Sequence, residues 1–385
     1  MDQQIQKTKI FFPNLDGLRF IAFALVFSEH VVWAAVKLLD IKKPLLSHVL
    51  YTILCNGKMG VSVFFVLSGF LITYLILSEI KLTGTIHVGS FYMRRFLRIW
   101  PLYYALLIFT FFIYPFIQSL MHANPGPLGV TPLFYYTFLS NFDMIRLAHE
   151  HLAGSTLTGV TWSVAVEEQF YLIWPLLFFS VPKKGYAFIF ITFIIISILF
   201  RGLNHTDASF INFHSLGVCG DLAIGGLAAY LSLNFKKFRS FFESLTDAKR
   251  LLIYVTGILF VLLQGYYLDM EYSVLYDRFI PCLFFAWVIL DQNFNHSQRF
   301  KLSRWKWASR WGKYTYGMYL LHQVAFLIVM NALQYFHFKE QSFLIGMSKA
   351  VAAFILTCLI SYISYHYFEK PFLRLKEKFA YFTKD

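Results

Sequence analysis

The sequence contains few charged residues. Asp, Glu, Lys and Arg make up 14% of its 385 residues, while 58% are hydrophobic. An ordinary soluble domain is about 25% charged. This shortage excludes a typical soluble protein and predicts a chain surrounded by lipid. Apolar stretches of roughly 20 residues, enough to cross a bilayer as a helix, recur along the whole chain, so no separate soluble domain is expected.

Cysteine is also scarce. Only four occur, and Cys219, Cys282 and Cys358 lie within apolar segments. Because disulfide frameworks belong to cysteine-rich secreted chains, none is predicted here, and the redox compartment stays open. The N-terminal apolar run lacks the small-residue cleavage pattern of a signal peptide and contains charged residues. We therefore expect it to be kept as a helix.

The apolar pattern predicts an all-α integral membrane bundle of about ten transmembrane helices. The predicted spans lie near 14–36, 54–78, 95–117, 162–180, 186–200, 213–233, 251–268, 274–291, 314–333 and 346–368. The apolar piece 131–142 is too short to span and is expected to be re-entrant or interfacial. We expect a cytoplasmic N-terminal segment (1–13), a membrane domain (14–373) and a basic cytoplasmic tail (374–385).

The distribution of basic residues predicts the orientation of this bundle. With ten spans, one membrane face collects 24 of the 34 lysines and arginines, the other collects 6, and 4 lie inside spans. Because cytoplasmic loops are enriched in these residues, both termini are predicted to be cytoplasmic. The same topology explains the formal charge of +13. Nucleic acid is not an expected partner, since the basic residues form no single face.

The first predicted span carries ionisable residues at membrane depth, where each costs about 2.5–3.5 kcal/mol. Asp16 lies three positions before Arg19 and can pair with it. In an ideal α-helix, Arg19 and His30 fall within roughly 20° of one face, with His30 about 16 Å deeper. This stripe, with Glu29 beside it, predicts a functional site. The alternative is that Arg19 snorkels to the interface and His30 bonds a neighbouring helix.

The third span brings two arginines together in the segment FYMRRFLRIWPLYY. Arg95 and Arg98 are three positions apart, hence on one helix face, at the predicted cytoplasmic end. Guanidinium groups bind phosphate oxygens bidentately, and coenzyme A carries a pyrophosphate and a ribose phosphate. The pattern fits a donor clamp, but it fits a positive-inside anchor with interfacial Trp100 and Tyr103 equally well.

The fourth span begins TWSVAVEEQFYLIWP and places Glu167 and Glu168 within the predicted membrane, with Ser163 one turn earlier. Adjacent side chains point about 100° apart, so at most one glutamate is expected to face a site. There it could hold a proton or hydrogen-bond a sugar hydroxyl. The structural alternative is an ion pair with a basic residue of another span: Arg19, Arg278 or Lys58.

Two later segments supply further candidates for lining a cavity. Asp221 lies in the small-residue run GDLAIGGLAAY, where glycine permits close helix approach, so we expect it to face the bundle interior without assigning it a role. Tyr316, Tyr319 and His322 in YTYGMYLLHQ could line the same cavity. In a chain with 20% aromatic residues, however, an aromatic stripe is more often packing.

Together these segments resemble the acyltransferase-3 family, the multi-pass membrane acyltransferases that modify carbohydrates and some small molecules. The resemblance covers residues 15–373. It is carried by LDGLRFIA followed by His30, GVSVFFVLSGFLI at 60–72, RRFLRIWPLYY, WSVAVEEQFYLIWP, YGMYLLH and YFEKPF. Some members carry an additional extracytoplasmic hydrolase-like domain after the last helix, whereas this chain is expected to be a stand-alone membrane unit.

The resemblance implies roles and substrates. The functional residues that it implies are Arg19, His30, Arg95, Arg98 and one of Glu167 and Glu168. It implies acyl-coenzyme A, usually acetyl-coenzyme A, as co-substrate, with no tightly bound cofactor and no metal. The acceptor would be a carbohydrate hydroxyl of a polysaccharide, lipopolysaccharide, peptidoglycan or lipid-linked glycan. Because the family is mostly bacterial, the bacterial cytoplasmic membrane is the implied location.

A mechanistic hypothesis combines the residues with the resemblance. Arg95 and Arg98 hold the donor's phosphates at the cytoplasmic face while the thioester enters the bundle toward His30. His30 either deprotonates the acceptor hydroxyl or carries the acyl group transiently, and both routes stay open. The ion pair of the first helix orients the donor. Glu29 or a carboxylate of the fourth helix fixes the histidine tautomer.

Two other functional classes stay open at this point. A transporter or flippase of a polar or glycan-linked substrate also requires intramembrane charges and glycine-interrupted helices. Transporters are often built from repeats, however, and the two halves of this chain share neither motif order nor charged positions. A non-catalytic scaffold would require none of the buried charges, so tolerance of substitutions at Arg19 and His30 would favour it.

Overall fold

Helices make up nearly all of the described chain. The computed structural model describes residues 8–9, 12–36, 50–51, 53–120, 129–263, 273–335, 342–379 and 382–383. Within these ranges, ten α-helices have 15 or more residues. They are α1 (Pro13–Phe27), α2 (Gly57–Thr83), α3 (Val88–Ile108), α4 (Thr161–Ser180), α5 (Tyr186–Leu203), α6 (Ser215–Asn234), α7 (Asp247–Leu262), α8 (Phe279–Phe294), α9 (Thr315–Tyr335) and α10 (Phe343–Ile363).

Each of these helices overlaps one predicted span, in the predicted order. Seven helical stretches of the described chain are long and apolar enough to cross a membrane: Gly57–Thr83, Val88–Leu120, Lys183–Leu203, Ala208–Asn234, Ser273–Phe294, Lys306–Leu333 and Phe343–Phe379. Helices α1 and α4 are not among the seven because they carry charged side chains. Helix α7 is not among them either; the last part of its predicted span, 264–268, lies outside the described residues. The protein is therefore an all-α, multi-pass membrane bundle.

Helix α2 lies at the centre of the bundle, packed against α1, α4, α6 and α8. Its contact with α6 is backbone to backbone. A Cβ on Gly69 would lie 1.9 Å from the carbonyl oxygen of Leu222, and one on Gly225 would lie 2.0 Å from that of Val66. Glycine at these positions lets the two helices touch, so the close approach expected around GDLAIGGLAAY is confirmed.

Three of the long helices pass into π-helical turns. These turns are Ser28–Val32 after α1, Phe109–Ile113 after α3 and Ser364–Glu369 after α10; α-helix resumes over Trp33–Val36, Tyr114–Leu120 and Lys370–Lys376. Such turns occur frequently at functional sites. The first holds His30. A π-helical turn rotates less per residue than an α-helical one, so the placement of Arg19 and His30 on one face, which was calculated for an ideal α-helix, stays a prediction.

Short elements connect the long helices. The short helices are Pro132–Tyr136, Ser140–His149, Thr156–Gly159, Ala208–Phe213, Lys236–Ser244 and Lys306–Trp311, with 3₁₀ turns at Lys183–Gly185, Ser273–Leu275, Leu302–Arg304, Gly312–Tyr314 and Glu377–Phe379. The apolar piece 131–142 forms parts of the first two short helices rather than a span. Thr8–Lys9 pairs in parallel with Phe382–Thr383, so the first and last described segments lie side by side.

Candidate active site

His30 and His322 form a hydrogen-bonded pair between the first and ninth helices. His30 Nδ1 lies 2.9 Å from His322 Nε2, and the two rings are 15° from parallel. On its other side, His322 Nδ1 lies 2.8 Å from the carbonyl oxygen of Tyr319, in the same helix. His322 is fully buried, whereas His30 is exposed. The hydrogen bond with the buried His322 thus fixes the orientation of the exposed His30 ring.

The contacts of this pair determine the tautomers of both rings. A carbonyl oxygen only accepts hydrogen bonds, so Nδ1 of His322 carries a proton and donates it to Tyr319. In a neutral imidazole the other nitrogen is then an acceptor, which receives the Nδ1–H of His30. This leaves Nε2 of His30 with a free lone pair, as a general base or acyl-accepting nucleophile requires.

Glu29 does not orient His30, and the expectation that it, or a carboxylate of the fourth helix, fixes the tautomer is wrong. Its Oε2 instead accepts the backbone N–H of Gly57, at 2.5 Å. A carboxylate is favourable there because the N-terminus of α2 carries partial positive charge. Glu29 therefore ties the π-helical turn that contains His30 to the central helix.

Gly57→Ala should weaken this tie. A Cβ at Gly57 would lie 2.6 Å from Glu29 Oε2, so the carboxylate must move away. Losing a helix-capping hydrogen bond costs about 0.5–2 kcal/mol, and we expect a lower thermal unfolding midpoint in detergent. The matched control is Gly89→Ala, since nothing lies within 4 Å of a Cβ there. Equal stabilisation by both alanines would contradict this role of Glu29.

Among three arginines of α1 and α3, each lies within electrostatic reach of at least one other. Arg19 pairs with Asp16 at 2.5 Å, which confirms the pairing expected from their spacing. Arg98 lies within electrostatic reach of both Arg19 and Arg95. We call Arg19, Arg95 and Arg98 the arginine cluster. The neighbouring Arg94 lies outside it and pairs with Glu79 at 3.0 Å.

Within the arginine cluster, Arg95 and Arg98 have different surroundings. The guanidinium of Arg95 lies over the rings of Phe91 and Tyr171, 5.6 Å and 5.4 Å from their centroids. Its Nε is buried without a hydrogen-bond partner among the described residues. Arg98 is exposed. One arginine is thus fixed by aromatic packing, while the other is accessible for an anion.

The two adjacent glutamates of α4 have separate partners. Glu167 accepts hydrogen bonds from Ser68 Oγ at 2.7 Å and the Tyr171 hydroxyl at 2.9 Å, within electrostatic reach of the arginine cluster. Glu168 accepts from Trp100 Nε1 at 2.8 Å. Of the pairings considered from sequence, those with Arg19 and Arg278 are wrong, since each of these arginines pairs with an aspartate.

The other candidates of α4 and α9 support the site by hydrogen bonds. Ser163 Oγ lies 2.6 Å from the Tyr319 hydroxyl, which joins α4 to the helix that carries His322. The Tyr316 hydroxyl donates to the carbonyl oxygen of Ile99 at 2.6 Å, which joins α9 to α3. Both contacts hold helices together.

Asp221 lies in a different polar cluster. Its Oδ2 lies 2.7 Å from Arg278 Nε, while Arg201 pairs with Asp277 at 2.7 Å. Both arginines and Asp221 line one small cavity between α5, α6 and the start of α8. Asp221 faces the bundle interior, as expected, but it contacts this ion-pair cluster rather than the histidine pair.

Three residues of the site were missed from the sequence. Ser68 and Tyr171 bind Glu167. Glu369, in the last π-helical turn, accepts from Ser364 Oγ at 3.1 Å and lies within electrostatic reach of Arg98. All three lie in segments that carried the family resemblance. A polar side chain within such a segment was the sequence signal that could have identified them.

A histidine, an aspartate and a serine also meet away from the arginine cluster, but not as a catalytic triad. Asp207 Oδ2 and Ser209 Oγ both contact Nε2 of His149, at 2.7 Å and 3.1 Å. A triad needs its carboxylate and hydroxyl on opposite ring nitrogens. Asp207 instead caps Ala208–Phe213, and hydrogen bonds from Ser209 and the Phe210 backbone lower its pKa to about 2.

Fold and site together define a multi-pass membrane protein with a polar interior site suited to group transfer. Residues 12–366 match the acyltransferase-3 family, which is described as an acyltransferase domain. Because this match covers nearly the whole chain, the protein belongs to that family. No solved structure matches the chain.

Curated bacterial relatives carry O-acetyltransferase names. The chain is 29% identical to peptidoglycan O-acetyltransferase OatA of Listeria monocytogenes over 46% of its own length and 25% of the relative's. It is 25% identical to the putative peptidoglycan O-acetyltransferase YrhL of Bacillus subtilis over 94% of its own length and 55% of the relative's. A putative O-acetyltransferase of Staphylococcus aureus is 29% identical over 50% and 29%. The chain thus spans about half the length, or less, of these relatives.

Proposed function

We propose that the protein is an O-acetyltransferase that moves an acetyl or other short acyl group from acyl-coenzyme A to a hydroxyl of a peptidoglycan-type cell-envelope glycan. The observation that carries this proposal is the free lone pair on Nε2 of His30, held in place by His322. Membership of the acyltransferase-3 family and the names of the relatives support the reaction and the acceptor class.

The chemical step follows from the tautomers of the histidine pair. Nε2 of His30 takes the proton of the acceptor hydroxyl, the alkoxide oxygen attacks the thioester carbonyl, and the coenzyme A thiolate leaves and recovers the proton. The resulting charge on His30 is stabilised by its Nδ1–H donation to His322. In the alternative route the same lone pair attacks the thioester first, the coenzyme A thiolate leaves, and an acyl-imidazole forms. The acceptor hydroxyl oxygen then attacks its carbonyl, Nε2 of His30 leaves, and the hydroxyl proton passes to the thiolate.

The arginine cluster is the proposed donor site. Coenzyme A brings a pyrophosphate and a ribose phosphate, and the planar guanidinium group can bind two phosphate oxygens at once. Arg98 is the exposed member of the cluster and is accessible to the donor's phosphates. Asp16, Glu167 and Glu369 lie within electrostatic reach of the cluster, and the buried Nε of Arg95 has no hydrogen-bond partner among the described residues.

Arg98→Ala should raise the KM for acetyl-coenzyme A about 10- to 100-fold, because losing a charge-assisted hydrogen bond costs about 1.5–3 kcal/mol. The kcat should change less, since Arg98 binds the donor away from the reacting atoms. Arg98→Lys should recover part of the loss. The matched control is Arg310→Ala, at an exposed arginine of the segment before α9. A kcat effect without a KM effect would contradict a donor-binding role.

The proposed topology has ten spans with both termini in the cytoplasm of a bacterial cell. Two observations support it. The parallel pairing of Thr8–Lys9 with Phe382–Thr383 keeps both ends on one side of the bundle, which requires an even number of crossings. The excess of basic residues on that side is typical of the cytoplasmic face. The donor would then enter from the cytoplasm.

The experiment that tests this function is transfer of label from radioactive acetyl-coenzyme A into extracted cell-envelope glycans. Membranes that contain the intact protein are compared with membranes that contain equal amounts of the His30→Ala variant. Label in the peptidoglycan fraction from the intact protein alone supports the proposal. Equal label in both samples, or label in neither, overturns it.

A further inference from the structure

An apolar groove of about 640 Å³ runs along α1, and no residue of the arginine cluster lines it. One wall is a stripe of the first helix with the spacing of a single helix face; it consists of Phe20, Ile21, Ala24, Leu25 and Ser28. From its first to its last residue this stripe is about 12 Å long, at 1.5 Å per residue. The groove is therefore long and narrow enough to take an alkyl chain.

The two ends of the groove differ in chemistry. At one end lie Trp305, Lys306 and Trp307, and the ring of Trp307 contacts that of Phe20 with centroids 4.7 Å apart. Tryptophan and lysine together are typical of the membrane–water interface. At the other end, apolar residues of the 53–54 segment line the groove near Ser28. The groove thus runs from the interface into the hydrocarbon.

Lys306 supplies a positive charge at the interface end. Its side chain is exposed and makes no ion pair or hydrogen bond within the described ranges. The nearby Arg304 and Arg310 are also exposed. An apolar channel with cations at its mouth complements an amphiphile that has an alkyl chain and an anionic headgroup.

We infer that this groove binds one acyl chain of an anionic membrane phospholipid, with the lipid phosphate against Lys306. Its volume lies within the range of about 300–1,000 Å³ that is usual for ligand sites. Ser28, at its inner end, lies two positions before His30 in the same π-helical turn. A lipid in the groove therefore packs against the helix that positions His30.

The direction of the groove excludes the substrates of the proposed reaction as its occupant. A lipid-linked glycan with its phosphate at Lys306 would hold its sugar at the interface, whereas His30 lies beyond the opposite, apolar end. Coenzyme A would have to lay its polar pantetheine arm along apolar walls, which leaves its amides without partners. The bound lipid is therefore a ligand separate from donor and acceptor.

The test uses the tryptophans of the groove as reporters. The purified full-length protein is reconstituted into vesicles of unlabelled phosphatidylcholine that contain a small fraction of either brominated phosphatidylglycerol or brominated phosphatidylcholine, whose bromine atoms quench tryptophan fluorescence on contact. One lysine near the interface favours an anionic lipid about fivefold. We therefore expect half-maximal quenching at an about fivefold lower mole fraction of the brominated phosphatidylglycerol.

Three variants distinguish the groove from the general lipid-facing surface. Lys306→Gln should clearly reduce the preference for phosphatidylglycerol, with Arg304 and Arg310 still present, whereas Lys313→Gln, at another exposed lysine of the same segment, should keep it. Ala24→Phe, which fills the groove, should reduce quenching by both lipids. Equal quenching by both lipids in the intact protein, or an unchanged preference in Lys306→Gln, would overturn the inference. None of these outcomes depends on acyl transfer.

Discussion

His30→Ala should reduce acetyl transfer by about 10²- to 10⁴-fold, the usual contribution of a general base. The reason is geometric. Nε2 of His30 is the free nitrogen of the histidine pair, while Nδ1 is engaged with His322. Because the His30 side chain is exposed, its truncation should leave the protein folded, with an unchanged thermal unfolding midpoint.

Two measurements make the His30 experiment decisive. The KM for acetyl-coenzyme A should stay within a fewfold of the intact value, since the proposed donor site is the arginine cluster and not His30. Incubating the intact protein with labelled donor and no acceptor separates the two chemical routes. Label that stays on the intact protein but is absent from the His30→Ala variant indicates an acyl-imidazole. Intact protein that stays unlabelled indicates a general base. A variant that keeps full activity would eliminate His30 from the mechanism.

His322→Leu should reduce kcat by about 10²-fold or more, up to the 10⁴-fold that loss of the correct histidine tautomer costs a serine protease. Leucine cannot accept the Nδ1–H of His30, so nothing keeps the lone pair on Nε2. The KM for the donor should hardly change. His322 is buried and contacts His30, 292 residues away in sequence, so a loss of kcat without a change in KM would report the positioning of His30 rather than donor binding.

His322→Gln is the matched variant for this experiment. A glutamine offers a carbonyl oxygen that can accept from His30 and an amide N–H that can donate to the Tyr319 carbonyl, so it can reproduce both contacts. It should therefore retain much more activity than the leucine variant. If both variants lost activity equally while unfolding at the same temperature as the intact protein, His322 would have to act chemically and not only as a positioning residue.

Much of the fold could be predicted because it depends on local composition. Long apolar runs form helices in lipid, since backbone groups there must bond within the segment, and all ten predicted spans contain a long helix. The pairing of Asp16 with Arg19 was also predictable, because residues three apart in an α-helix are neighbours. The orientation and the number of crossings remain predictions.

The candidate site residues could be named from the sequence, where their roles stay predictions, but their arrangement could be predicted only in part. His30, the arginines and the α4 glutamates were identified because charged groups are expensive in lipid. Glu29 or a carboxylate of the fourth helix was expected to contact His30, whereas the contact comes from His322 of the ninth helix. Glu29 binds the N-terminus of α2 instead, a contact that depends on how two helices cross.

The sequence by itself therefore determined that this protein is a helical membrane bundle with a histidine, arginines and carboxylates within its apolar segments, because each follows from residue type and spacing along one helix. Only the tertiary structure decided that His322 holds His30, that Ser68 and Tyr171 hold Glu167, and that a π-helical turn presents His30. The physical reason is that side-chain partners depend on the packing of helices far apart in sequence, whereas the periodicity of one helix describes only its own faces.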